Sequence, residues 1–500
     1  MPVSCVRNPL PVRQPRWIGL ARPVHSPMQG QALVLALFLL AAGAAGLLQL
    51  FNSGQAIQDK TRLTHAVDAA AYSGALVQAR ALNFLGYANR ALVAHQVAMA
   101  HLVTLAAWAQ FGDAQGRRVA RSNPPASLIA GFFGPSQGAA YLSARGLGGR
   151  IGAQAQWGSG GLALAYAEHD RVVHDVLVRA QVAVQQSLAE SRREAMRAVL
   201  AANDHETPAV LDPTLLSDTL PGYVLRYGGQ ARERLKALVE ASVEPYGFLA
   251  ARNDVDRSLL PIDKRCPLAR HELRRRGSTA LRGLDTWRAL DTHSYHALRS
   301  NKWIGCYYRE YPMGYGMVRG VDSPADDDIE YVDQPPENFS EESFWRWVQR
   351  MRSWTLLNVL TNPYASSLAV SGQASWPGRG LPSFAEIAGA GVPGEASSLR
   401  FAVRVYRPVE GAPRPAATSA TAVADGASSL SGAGAMRMAS PAAGGVVAAI
   451  AAAETFYERP ARRADGRHEM ASLFQPYWHA RLTPVRDDER MRARSLQGGR

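Results

Sequence analysis

"ALVLALFLLAAGAAGLLQLF", Ala32 to Phe51, is a run of 20 residues without a charge, and the wider window from Pro23 to Gln58 holds no Asp, Glu, Lys or Arg. At about 1.5 Å per helical residue the run is roughly 30 Å long, one hydrocarbon thickness. It exceeds the apolar core of a cleaved signal peptide, and no small-x-small cleavage site comes after it. A core helix of a soluble protein at this length carries a polar face, which is missing here. The stretch therefore reads as an uncleaved signal anchor over residues 31–52.

Its flanks set an orientation. Residues 1–30 carry Arg7, Arg13, Arg16 and Arg22 and no acid, whereas Asp59, Lys60, Arg62 and Asp68 after the span are mixed. The positive-inside bias keeps such an N-terminal segment in the cytoplasm and exports the remainder of the chain, into the periplasm of a bacterial inner-membrane protein. The three cysteines fit this arrangement. Cys5 falls on the reducing side, and Cys266 and Cys306 fall on the oxidising side, where thiols pair. A Cys266–Cys306 disulfide closes a loop of about 40 residues and contributes on the order of 4 kcal/mol in the chain-entropy picture.

The rest of the 500 residues divides by texture. A helical pattern runs from Ala56 to about Gln110, with Leu82, Leu85, Leu92, Val93, Val97, Leu102 and Leu105 at spacings near three and four. "NSGQ", Asn52 to Gln55, reads as a short break before it. Residues 111–161 are rich in Gly, Ser and Pro, and Leu162 to Ala202 is again helical, so that 56–202 forms a mainly helical exported region. Asn203 to Gly222 reads as a connector. From Tyr223 short aromatic and β-branched runs ("YVLRY", "KWIGCYYREY", "LRFAVRVYRPV") indicate strands, giving a mixed α+β domain over 223–410 that contains the cysteine pair. Residues 411–445, rich in Ala, Ser, Gly and Pro, read as a linker. "AAIAAAETFYERP" restarts a helix, a docking segment carries Phe474, Tyr477 and Trp478 to complete 446–485, and 486–500 reads as a frayed tail. The fold class is α+β.

A hydrophobic fraction of 47% with 19% charged residues excludes a polytopic membrane protein and a disordered chain. The net charge of +13 comes without a basic block or a nucleic-acid motif. It points to anionic lipid headgroups or cell-wall polymer rather than to nucleic acid. Three local patterns invite chemistry. "GPSQG", Gly134 to Gly138, matches a nucleophile elbow at Ser136, which needs a strand before it and a helix after. Asp170 and His174 in "EHDRVVHD" stand one helical turn apart, a metal-chelating spacing that lacks a third ligand. The acidic stretch 322–342, with Asp326, Asp327 and Asp328, could attract calcium but lacks a loop-type spacing. Each has a plainer reading as a loop, a solvated helix face and a surface loop. No catalytic residue, metal or cofactor is expected.

"RLTHAVDAAAYSGAL", Arg62 to Leu76, is nearly all small residues around one carboxylate. Together with "QGQALVLALFLL" it resembles the N-terminal segment of the TadG-like proteins of bacterial tight-adherence (Flp pilus) assembly systems. The resemblance covers 28–76. Gly30, Gln31 and Ala32 match the start of that pattern, and Asp68, Ala69, Ala70 and Ala71 match its second part. Leu35 stands where pilins of such systems carry the glutamate five residues after a processing glycine, so the resemblance implies a retained anchor. No D-x-S-x-S metal motif of the kind some relatives carry is present.

Small residues let helices approach closely. Ala42 with Gly46 in the span, and Ala66, Ala70 and Gly74 beyond it, are expected to pack against partner helices. The expectation is a single-pass, non-catalytic scaffold or interaction protein of a pilus or secretion assembly. Its partners would be the lipid bilayer, pilus-assembly or pilin-like membrane proteins, and further copies of itself. The alternatives are an anchored periplasmic serine hydrolase using Ser136 and an anchored cell-wall-binding protein.

Overall fold

The computed structural model describes residues 31–147, 151–156, 158–203, 211–261, 263–320, 329, 331–338, 342–351, 361–390, 398–408, 446–461, 463–467 and 469–498. Leu63–Arg407 and Ala448–Arg500 form one compact unit, and Met1–Arg62 with Pro408–Val447 form another.

One helix, α1 (Gln31–Ala120), carries both the apolar span and the helical pattern after it. The break expected at "NSGQ" does not occur. Ser53 donates its hydroxyl to the Gln49 carbonyl at 2.8 Å, and Thr61 does the same to Ile57 at 2.8 Å. Such back-bonding lets short polar residues stay inside a helix. The helix stops where Ser122 takes a left-handed φ of 53°. There Asn123 N–H bonds to Arg118 O at 3.1 Å and Ser122 N–H to Val119 O at 3.0 Å, which satisfies the terminal carbonyls.

From Leu63 onward α1 is the spine of the larger unit, roughly 87 Å of helix at about 1.5 Å per residue. Next come α2 (Ala126–Phe133) and α3 (Pro135–Ser143), which pair as a tight hairpin. Then α4 (Gly161–Arg171), a π-turn (Val172–Leu177) and α5 (Val178–Asn203) run on.

The remaining elements are β1 (Thr214–Asp218), β2 (Val224–Tyr227), α6 (Glu233–Val243), β3 (Asp254–Arg257), β4 (Glu272–Arg282), β5 (Thr286–Asn301), β6 (Gly305–Arg319), α7 (Phe344–Met351), α8 (Pro363–Ser371), β7 (Ala374–Ser375), β8 (Phe384–Ile387), β9 (Ser398–Pro408), β10 (Val446–Tyr457), β11 (Trp478–Thr483) and α9 (Asp487–Gly498). They build three sheets, ordered β1-β9-β10-β11, β2-β8 and β3-β4-β5-β6-β7. The last is an antiparallel meander, with β7 added parallel to β6.

The helical and stranded regions are therefore not separate bodies, because one helix supplies core to all of the sheets. Ala79, Leu82 and Leu85 pack with Leu399, Leu473 and Trp478. Farther on, Leu92, Met99 and Val103 pack with Trp287, Trp376 and Phe384. Near its end Val119 joins Ile129, Phe133, Leu273 and Met313. Polar residues set between these apolar ones hold the strands in place. Asn83 exchanges two 2.9 Å bonds with the Trp478 backbone at the start of β11. Asn89 donates to the Ala385 and Leu473 carbonyls at 2.7 Å and accepts from Gln181 at 2.7 Å. Gln96 accepts from the Trp287 indole at 2.9 Å, and Gln110 accepts from Met317 N–H at 2.9 Å. Buried amides that are fully partnered fix register in a way apolar contacts cannot.

Two expectations at the C-terminus are corrected. "AAIAAAETFYERP" is not a helix but β10. Ala449, Ala451, Ala452 and Ala453 are all buried, and Thr455 donates its hydroxyl to the Ala75 carbonyl of α1 at 2.9 Å. Alanine favours helix in isolation, but burial in the sheet overrides that preference here, with Ala452 packed among Leu216, Ala402 and Ala493. The frayed tail is instead α9 up to residue 498. Its first turn is acidic, and Glu489, almost fully buried, binds Arg400 at 2.8 Å and Ser217 at 2.6 Å. A strand, β1, also lies inside the expected connector. The linker 411–445 lies outside the described residues.

Cys266 and Cys306 form a disulfide that ties the approach to β4 to the start of β6. With a sequence separation of 40, reduction is expected to lower unfolding stability by about 3–4 kcal/mol. Urea unfolding with and without dithiothreitol measures this, and Cys306→Ser should reproduce the reduced value.

Candidate functional site

Three regions of the chain bear on function: the span, the thin stretch after it, and a polar cavity over the meander sheet. From Ala32 to Phe51 the side chains are exposed on all sides of α1. Leu33, Leu37, Leu40, Leu47 and Leu50 are each more than 65% exposed. Among the described residues this is the one helix long and apolar enough to cross a membrane. Ala42 and Gly46 lie on it, and a Cβ added at Gly46 would touch nothing. Of the family-pattern residues, Gly30 lies outside the described residues, Gln31 opens α1 and Ala32 is exposed.

The thin stretch has a use inside the chain itself. Ala66, Val67, Ala70, Ala71, Gly74 and Ala75 are buried. A Cβ at Gly74 would come within 3.0 Å of Met196 on α5 and within 3.0 Å of Phe401 on β9. The ridge Ala66–Ala70–Gly74, expected to meet partner helices, is covered by this chain's own helix and sheet. Small side chains are needed because α5 and β9 close on the spine from two directions. Asp68 and Ala69 are half-buried at its margin, and burial raises the Asp68 carboxyl above its ordinary range, with His65 opposing.

Ser136 is exposed in the first turn of α3, and the element before it is a helix, α2. The strand–turn–helix geometry of a nucleophile elbow is not formed there. The glycines of "GPSQG" serve a helical hairpin: Gly134 takes a φ of 99° at the turn, and Gly138 sits so close to α2 that a Cβ would lie 2.4 Å from that of Ala130.

Asp170 and His174 do come together, but as a latch. Asp170 accepts the Arg379 backbone N–H at 2.9 Å and its Nε at 2.8 Å, while Asp175 takes both terminal guanidinium nitrogens at 2.9 and 3.0 Å. His174 Nε2 donates to the Gly380 carbonyl at 3.1 Å, and burial lowers its basicity. The last turn of α4 presents Asp170, and the π-turn presents His174 and Asp175, to the loop after β7. Nearby, His95 of α1 and His169 of α4 meet Nδ1 to Nδ1 at 2.7 Å, a contact that holds one proton between two rings. No group of three His, Cys, Asp or Glu among the described residues could hold a metal. Asp326, Asp327 and Asp328 lie outside the described residues. Glu342, at the end of that acidic stretch, accepts the Tyr364 hydroxyl at 3.0 Å.

The meander sheet faces α1 along rows of residues paired across strands. One row is Asp254–Arg275–His293–Gly314, and another is Gly277–Asp291–Gly316. The glycines let the helix lie on the sheet. At Gly314 a Cβ would be 2.8 Å from the Phe111 ring, and at Gly316 it would be 2.3 Å from the Ala107 carbonyl oxygen. Where the first row passes under α1 and α3 there is a cavity of about 270 Å³, lined among others by Gln115, Tyr141, Asp254, Asp256, Arg275 and His293. Asp254 and Asp256 are two apart on β3 and so share a face. Asp256 accepts from Gln137 of α3 at 2.8 Å, and burial and then Asp254 raise its carboxyl. Burial pushes His293 down to about 4, so it is neutral at pH 7. Arg275 lies over the Trp108 ring at 4.7 Å and reaches Asp291 at 3.9 Å, while Asp291 is held by Arg252 through two 2.8 Å bonds. Sequence reading misses this cavity because its residues come from seven elements, and only the D-x-D alternation in "NDVDR" signals it.

No family model, curated protein or solved structure matches the chain.

Proposed function

We propose that this chain is a single-pass protein of the bacterial inner membrane, with its N-terminus in the cytoplasm and its bulk in the periplasm. It acts as a non-catalytic scaffold or interaction component of a tight-adherence (Flp) pilus or secretion assembly. The observation that carries the reading is the uncharged, fully exposed stretch Ala32–Phe51 of α1, for which burial in lipid removes the cost of exposure to water. The arginines before it and the disulfide after it support the orientation. The pilus assignment rests on the resemblance at Gly30–Ala32 and Asp68–Ala71.

Because the ridge at 66–74 is covered from within, contact with partners falls to other faces of α1. Within the span these are Ala42 and Gly46. In the larger unit they are the exposed Phe84, Tyr87, Leu105 and Trp108. Photo-crosslinking residues placed at Ala42, Gly46 and Tyr87 in cells are expected to capture an inner-membrane pilus-assembly protein, a pilin-like protein or a second copy. Capture of none of these from any of the three positions contradicts the proposal.

A further inference from the structure

The outward face of α1 is apolar where a solvated helix carries charge. Any helix laid on a sheet leaves a stripe at spacings of three and four to water, and that stripe is ordinarily polar. On α5 it is, since Glu190, Arg193, Glu194 and Arg197 are all exposed. On α1 the stripe between Phe84 and Trp108 holds one exposed charged residue, Arg90. Phe84 and Tyr87 stand exposed at one end and Leu105 and Trp108 at the other, with Tyr87 61% exposed. Ala91, Ala94 and Ala98 lie between them, open or half-open to solvent.

These residues form two parallel rows. Phe84, Ala91, Ala98 and Leu105 follow one another seven apart, and so do Tyr87, Ala94, His101 and Trp108. That is the heptad seam on which a second helix packs, here about 37 Å long. The alanines in its middle let a helix approach closely, and the larger side chains at its ends supply contact area. At the Trp108 end the seam adjoins an apolar hollow of about 470 Å³ bounded by Leu105, Ile151 and Leu162, a receptacle for one large apolar side chain.

Charge selects among helices. From Ala69 to Gly112 the helix α1 has no Asp or Glu. Arg80 and Arg90 are exposed and form no ion pair among the described residues. Arg90 immediately precedes a seam position, Ala91, where charges on paired helices set the choice of partner. A second copy laid parallel and in register would bring His95 towards Arg90 and set Arg80 against its own counterpart, so it offers no acid. We propose that the face of α1 from Phe84 to Trp108 is a docking seam for an acidic amphipathic helix of another protein. This rests on the reading that outward faces of α1 meet partners, and it names the chemistry of one.

The test uses the full-length chain in detergent micelles and a fluorescent peptide of about four heptads, with leucine and alanine on its apolar face and glutamate flanking them. A second peptide carries lysine in place of each glutamate. Fluorescence anisotropy is expected to show saturable binding of the acidic peptide, at least tenfold tighter than that of the lysine peptide. The double variant Arg80→Glu with Arg90→Glu should erase that preference. Ala94→Glu, an exposed position in the middle of the seam, should weaken the acidic peptide tenfold or more, while Ser187→Ala on the exposed face of α5 should leave it unchanged. No saturable binding of the acidic peptide overturns the proposal. So does a preference that the double variant leaves intact, or binding that Ala94→Glu leaves untouched. A dimer of the chain alone in sedimentation, lost on Ala94→Glu, overturns it in favour of a second copy. Any of these results together with capture from Ala42 or Gly46 in cells refutes the seam and leaves the pilus reading standing.

Discussion

Gly316→Ala is expected to prevent stable folding of the larger unit. The new Cβ would lie 2.3 Å from Ala107 O, 2.7 Å from Phe111 N and 2.8 Å from Gln110 Cβ. Two of those atoms are helix backbone, so no rotamer change relieves the clash. The helix cannot lift away cheaply either, because Gln110 accepts a bond from Met317 N–H one residue along and Phe111 seals Gly314 two residues back. Separating α1 from the sheet at this point should cost several kcal/mol, about the net stability of a typical domain. Gly131→Ala is the matched control. Gly131 lies in α2 with nothing near its Cβ position, and helix propensity alone should make that variant about 0.5–1 kcal/mol more stable. Urea unfolding of both variants in micelles checks the pair. Equal midpoints would show that the helix does not lie against β6 as described.

Acid should weaken the fold well before the carboxylates titrate. His271 is almost fully buried, and its Nδ1 accepts the Leu298 N–H at 2.8 Å, which only the unprotonated nitrogen can do. Phe132 and Tyr295 pack on the ring at 4.6 and 5.4 Å. Burial, with the Arg299 charge adding to it, brings its pKa from 6.5 to about 4. The unfolded chain then binds the proton first, so stability is full above about pH 6.5 and falls as pH drops toward about 4. Over that window the loss from His271 alone is about 3 kcal/mol. His293, also brought to about 4, works in the same direction. Buried Asp291 and Glu386, whose carboxyls are raised by burial, work the opposite way. His271→Asn isolates the effect, since the amide oxygen can accept the same bond without titrating. The urea midpoint of the native chain should fall between pH 7.5 and 4.5 by clearly more than that of His271→Asn. Parallel pH profiles would contradict the assignment.

The sequence was most legible where one physical requirement dominated. An uncharged run of the right length, a pair of cysteines on one side of it and leucines at helical spacing each correspond to an element in the structure. It was least legible where tertiary packing overruled local preference. The alanines of β10 favour helix locally, but pairing with β11 and burial in the sheet make them a strand. Ser136 carries the right local pattern, but α2 lies where a strand would have to be. Asn83, Asn89, Gln96 and Gln110 interrupt the apolar rhythm of α1, and nothing in their local sequence tells that each holds a strand or loop from a distant part of the chain. The small residues at 66–75 correctly signal a close approach, but nothing local says that the approaching surface is residues 196 and 401 of the same molecule.

Topology can be read directly with a membrane-impermeant maleimide on spheroplasts. Cys266 and Cys306 are paired and unreactive, which leaves Cys5 as the reporter for the N-terminus and an added cysteine at the exposed Ser187 of α5 as the reporter for the larger unit. The Ser187→Cys chain should label once in intact spheroplasts, and Cys5 should label only after lysis. Labelling of Cys5 in intact spheroplasts, or protection of Ser187→Cys until lysis, would contradict an anchored protein with its body outside the cytoplasm.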